Sequence, residues 1–136
     1  MSNEGHCLCG RVSFRADGEP LWVAHCHCES YRRTTASPMT TYAGFRPTAV
    51  VWQGDVPTAY NSSPGVTRHF CGKCGTPLSF ESERFPDEVH LFVANLNDPN
   101  TLAPQCHVFT EERISWMHLS DGLPEYSKTS QDEPKR

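Results

Sequence analysis

No apolar run in this 136-residue chain approaches the ~18 residues of a membrane-crossing helix, which excludes helical spans. A block of basic residues is also missing. Lys and Arg number 12 against 16 Asp and Glu, for a formal charge of −4 spread along the sequence. That distribution gives no electrostatic footprint for nucleic acid or an anionic membrane surface. The opening MSNEGHCLCG has neither the basic start nor the apolar centre of a secretory leader, so the expectation is a cytoplasmic protein. Long stretches of helical periodicity are absent too. Only ESYRRTT and EERISWMHL could hold a short helix, and neither is long enough to form a layer over a sheet.

What the chain has is short alternating or β-branched runs. RVSFRA, LWVAH, MTTYAGF, AVVWQ, TRHF, PLSFE, EVHLFVA and QCHVF are separated by DGEP, NSSPG, RFPDE and NDPNTLAP, which predicts a mainly β fold. Trp52, Trp116, Phe80 and Phe92 fall in strand or short helical segments and are expected in the core. DGLPEY reads as a turn that brings Leu123 and Tyr126 back onto the body, and Asp98 as a turn former. The closing SKTSQDEPKR, residues 127–136, has no apolar residue and is expected to be a disordered tail.

Seven cysteines are many for a reducing compartment, where clustered thiols more often bind metal or do chemistry than form disulfides. Cys7 with Cys9 and Cys26 with Cys28 are C-x-C pairs; Cys71 with Cys74 is a C-x-x-C inside FCGKCGTPLSF. Cys106 stands apart and is expected to be a buried, inert thiol. On a strand, i and i+2 share a face, so Cys26 and Cys28 point together while His25 and His27 face the other side. Glycine after a ligand cysteine lets FCGKCG curl and aim N–H groups at sulfur, a zinc-knuckle-like turn. Structural zinc wants four ligands, so this pair needs one of the two C-x-C pairs, and spacing does not say which. The pair left over would form an incomplete shell, which is also what a catalytic zinc keeps: about three protein ligands and an open position.

Taken in order, GHCLCGRVSF, HCHCESYRR, GVTRHFCGKCGTPLSF, VANLNDPNTLAPQCHVF and ISWMHLSDGLPEY resemble the glutathione-dependent formaldehyde-activating enzyme family, which includes centromere protein V, over residues 5–126. The resemblance implies an Mss4-like β-tent, a single domain stabilised by zinc on Cys7, Cys9, Cys71 and Cys74. It also implies a second zinc on a C-x-C-x-x-C, here Cys26 and Cys28 with the third position at residue 31. That residue is Tyr31, whose phenol, with a pKa of about 10, is a harder and rarer zinc ligand than thiolate. Replacements for the missing ligand are His25, His27, Glu29, His107 or Cys106. The implied activity is carbon–sulfur lyase chemistry at Cys26 and Cys28, joining formaldehyde to a small thiol such as glutathione without redox change. Arg32 or Arg33 could position the thiol's carboxylate, and His107 matches a histidine common in the family. The alternative is a non-catalytic, zinc-stabilised binding module, which the replacement of the third cysteine by Tyr31 would allow.

Overall fold

The structure is a computed structural model that describes residues 1–130. Ten strands dominate these residues. The first three are β1 (Ser2–His6), β2 (Val12–Asp17) and β3 (Trp22–Cys26), and the helix α1 (Glu29–Thr35) follows. Next come β4 (Thr40–Phe45), β5 (Val50–Gly54), β6 (Thr58–Ser63), β7 (Val66–Phe70), β8 (Pro77–Ser82), β9 (Val89–Phe92) and β10 (Cys106–Val108). They form a three-stranded sheet in the order β1-β2-β5 and a seven-stranded sheet in the order β10-β3-β4-β9-β8-β7-β6. The mainly β architecture with little helix follows the sequence pattern.

Alternation decides which faces meet. Val12, Phe14 and Ala16 of β2 turn inward while Ser13 and Arg15 stay half-exposed. Phe14 and Ala16 pack with Phe45 of β4 and Val89 and Leu91 of β9 in the main core cluster. All four residues of β9 are buried, as expected for a strand covered on both faces. On the seven-stranded sheet, β3 pairs antiparallel with β4 and parallel with β10, so His107 lies beside His25 and Val108 beside Cys26.

Gly44 in β4 is required by its neighbour. A Cβ there would lie 2.5 Å from the indole of Trp22, whose ring packs edge-on against Tyr42 and His90. Gly44→Ala should therefore destabilise the chain by about 1–3 kcal/mol, read as a lowered thermal midpoint. An unchanged midpoint would show that Trp22 moves freely.

Several expectations change. β1 and β6 had no alternating signal. SNEGH puts only Asn3 and Gly5 inward, and TAYNSS is exposed throughout. Of EERISWMHL only Glu111 and Glu112 are helical, as the end of the 3-10 turn Thr110–Glu112, and the segment forms no α-helix. Trp116 is 66% exposed rather than in the core, because the chain there runs in turns with no strand or helix face to aim the indole inward. Trp52 and Phe80 are half-buried against core clusters and Phe92 is buried. Asp98 does form a turn, its carboxylate accepting from the Asn100 N–H. DGLPEY returns to β10: the His107 N–H donates to the Pro124 carbonyl and the Tyr126 N–H to that of His107, each at 2.9 Å. Of the segment expected to be a tail, the Lys128 carbonyl accepts from the Phe109 N–H at 2.9 Å, and residues 131–136 lie outside the described residues. Among the described residues no helix is long and apolar enough to cross a membrane.

Candidate functional site

Cys7 and Cys9 sit in the turn between β1 and β2; Cys71 and Cys74 sit in the turn between β7 and β8. One turn belongs to each sheet, so the cluster spans the two sheets. The four sulfurs lie within 4.8 Å of one another, with Cys7 to Cys9 at 3.6 Å and Cys9 to Cys71 at 3.8 Å. Tetrahedral zinc with bonds of ~2.3 Å would set sulfurs ~3.8 Å apart, so the donor set fits a metal ion. Gly10 and Gly75 follow the second cysteine of each pair at φ of 80° and 79°, which glycine adopts without strain. The curl aims N–H groups at sulfur: Val12 donates to Cys7 Sγ at 3.3 Å and Lys73 to Cys71 Sγ at 3.4 Å. The Thr76 hydroxyl and N–H hold the Cys74 thiol down to about 5. The Arg11 N–H lowers Cys9, but burial and the neighbouring sulfurs outweigh it and push that thiol up to about 11. Four thiols this close do not all ionise alone, and a cation at their centre removes the conflict.

Cys26 closes β3, and Cys28 caps α1, its Sγ accepting the Tyr31 N–H at 3.4 Å. Both face a pocket of about 370 Å³ that is also lined by Tyr31, Tyr42, Arg68 and Phe80. Burial pushes the Cys26 thiol well up. Its hydrogen bond to Cys28, helped by the Tyr31 N–H and opposed by burial, brings the Cys28 thiol down to about 7. Near neutral pH the pair is thus a thiol donating to a thiolate, the form in which cysteine is a base or nucleophile. The Tyr31 ring packs edge-on against Tyr42, Phe80 and Phe92. Burial, then the charges of Cys26 and Cys28, keep its phenol protonated, and its buried hydroxyl has no hydrogen-bond partner. The Arg68 guanidinium lies 5.5 Å from the Tyr31 ring and 5.1 Å from that of Phe80, with Nη1 likewise buried and unpartnered. A larger depression of about 740 Å³ near Gly65 and Glu83 has no cysteine or histidine in its lining.

A model of the family "Glutathione-dependent formaldehyde-activating enzyme" matches residues 2–112. The chain belongs to this family. It is 29% identical over 129 residues to a Halomonas elongata protein named "Putative glutathione-dependent formaldehyde-activating enzyme", a match covering 88% of this chain and 82% of that one. A crystal structure of a Rhodobacter sphaeroides protein shares the fold with a TM-score of 0.60 at 23% identity, over 72% of this chain and 93% of that one.

For this family member the second zinc position does not find its ligands. Tyr31 is a neutral, ring-packed phenol, and among the described residues no third His, Cys, Asp or Glu joins Cys26 and Cys28 within 4.8 Å. Glu29 is engaged with Arg33 at 2.8 Å. Cys106 is half-buried rather than buried and lines the pocket beside Ala24, on the same sheet face as Cys26. His25 and His27 do face the other side, as strand geometry required: His27 Nε2 lies 2.8 Å from His107 Nδ1. Arg32 and Arg33 do not line the pocket, and Arg33 is largely exposed. Arg68 and Arg84 line it instead. Arg68, the one that stacks on Tyr31 and Phe80, was missed by sequence reasoning; it lies in TRHF, a run read only as a strand.

Proposed function

We propose that this protein makes and breaks the carbon–sulfur bond of a small thiol–aldehyde adduct in the Cys26–Cys28 pocket. The reactants are of the glutathione and formaldehyde class, and zinc on Cys7, Cys9, Cys71 and Cys74 holds the two sheets together. The observation that carries this reading is the Cys28 thiol, lowered to about 7, in the lining of a pocket that Tyr31 and Arg68 also line, each with a buried polar atom that has no hydrogen-bond partner. Family membership and the name of the Halomonas relative support the substrate class. Seven cysteines, four of them in one cluster, suit a reducing, cytoplasmic setting.

The substrate thiol gives its proton to the Cys28 thiolate and attacks the aldehyde carbon, forming the C–S bond. The carbonyl oxygen becomes an alkoxide, to which the Tyr31 hydroxyl and Arg68 donate. The proton on Cys28 then passes to that oxygen, which gives the hydroxyalkyl thioether and restores the thiolate. Nothing is oxidised or reduced, and the reverse sequence is the lyase direction.

The pH profile tests the base. Because the ionised Cys28 is the active form, the rate should rise with pH through about 7 and then level off. A rate flat from pH 5 to 9 would remove Cys28 from this role. Tyr31→Phe keeps the ring contacts and deletes a hydroxyl that has no partner, so stability should hold or rise while the rate falls roughly 10²-fold. An undiminished rate would show that the hydroxyl does not meet the reacting oxygen.

The two-ligand count at Cys26 and Cys28 favours a second reading, a binding module without catalysis. It predicts saturable binding of the adduct with no acceleration of its formation. Tyr31→Cys, placed one turn along α1 from Cys28, should raise zinc from about one to about two per chain in either case.

A further inference from the structure

The face of β3 turned away from the thiol pocket carries a second convergence. His25 in β3, His107 in β10 and Asp121 in the returning turn each place one ligand atom within 4.8 Å of the others. The parallel register sets His107 beside His25, with ring centroids 4.9 Å apart, and the bridge from His107 to Glu125 brings the Asp121 turn over both. The nitrogens that would not face an ion are already held. His25 Nδ1 lies 2.8 Å from Thr41 Oγ1, and His107 Nδ1 lies 2.8 Å from His27 Nε2. This leaves Nε2 of each ring, and His107 Nε2 sits 2.8 Å from Asp121 Oδ2. The other carboxylate oxygen accepts the Leu123 N–H at 3.1 Å, which fixes the group's orientation.

An outer partner on the second nitrogen of each imidazole is the arrangement that orients metal-ligating histidines. A purely structural Asp121–His107 hydrogen bond would not require His25 to join it. His107 is fully buried while the Asp121 side chain is 33% exposed, so the site has a fixed floor and an open mouth. Tetrahedral bonds of ~2.0–2.1 Å would place the two ligand atoms ~3.3 Å apart, a small outward movement of the exposed carboxylate.

We infer that His25, His107 and Asp121 form a binding site for a divalent transition-metal ion, separate from the four-cysteine cluster and open to an exogenous ligand. Two imidazoles and one carboxylate suit zinc, cobalt(II) or iron(II) better than magnesium or calcium. Thr41 and His27 are its positioning residues.

The test is titration of the full chain, its four-cysteine cluster loaded with zinc, with cobalt(II). The expected result is one further equivalent whose visible absorption is weak and lacks thiolate bands. His25→Ala and Asp121→Asn should abolish it. Thr41→Val, which leaves all three ligands in place, should weaken it roughly 10–100-fold. Should Asp121→Asn fail to fold, the half-buried His25→Ala carries the same decision. No cobalt bound at millimolar concentration, intense thiolate bands on the added equivalent, or unchanged affinity in His25→Ala would each overturn the assignment.

Discussion

Cys74→Ser, or exhaustive chelation of the zinc-loaded protein, should abolish the cooperative thermal transition and most of the β-sheet circular dichroism. Cys7 and Cys9 belong to the turn of one sheet and Cys71 and Cys74 to the turn of the other, so an ion held by all four would cross-link the sheets. A structural zinc supplies on the order of 10 kcal/mol or more of apparent binding energy, comparable with the ~5–15 kcal/mol that stabilises a whole domain. The same turns also meet through the Leu8 N–H, which donates to Thr76 Oγ1 at 3.0 Å, and through the packing of Cys7 and Val12 with Cys71 and Leu78. Elemental analysis must accompany the measurement. A chain shown to be metal-free that keeps its cooperative transition would contradict the cross-link.

Cys28→Ala should lower carbon–sulfur bond formation by roughly 10²–10⁴-fold, the range set by loss of a positioned base. Cys26→Ala separates the roles of the two sulfurs. Cys26 is the first cause of the lowered Cys28 thiol, so its removal should shift the pH profile to higher pH rather than remove activity at its alkaline end. Steady-state rates of the two variants from pH 5 to 9 distinguish these outcomes. Equal losses with unshifted profiles would mean that the pair acts as a unit, for example by holding a metal ion. Rates unchanged in both would place the chemistry outside this pocket.

Much of the frame was legible in the sequence because its signals are local. Val12, Phe14 and Ala16 alternate, and the run ESYRRTT is the helix that Cys28 caps. β1 and β6 were not legible, because SNEGH and TAYNSS owe their strand conformation to pairing with β2 and β7 rather than to any pattern of their own. The four-cysteine set came from family resemblance, since spacing left two C-x-C pairs equally eligible. Topology decided the rest. Arg68 reaches the Tyr31 ring only because β7 and β8 follow β9 in the large sheet, and the His27–His107 contact spans 80 residues. Trp116 shows the converse: an aromatic residue is drawn inward only where an element exists to carry it.

The central claim is that the Cys26–Cys28 pocket catalyses carbon–sulfur bond exchange. Exchange NMR on glutathione, formaldehyde and their hydroxymethyl adduct at equilibrium, with the zinc-loaded protein added, measures it directly. Interconversion should be faster than in buffer with the wild-type chain and at the buffer rate with Cys28→Ala. Interconversion at the buffer rate with folded, zinc-loaded wild-type protein would contradict it.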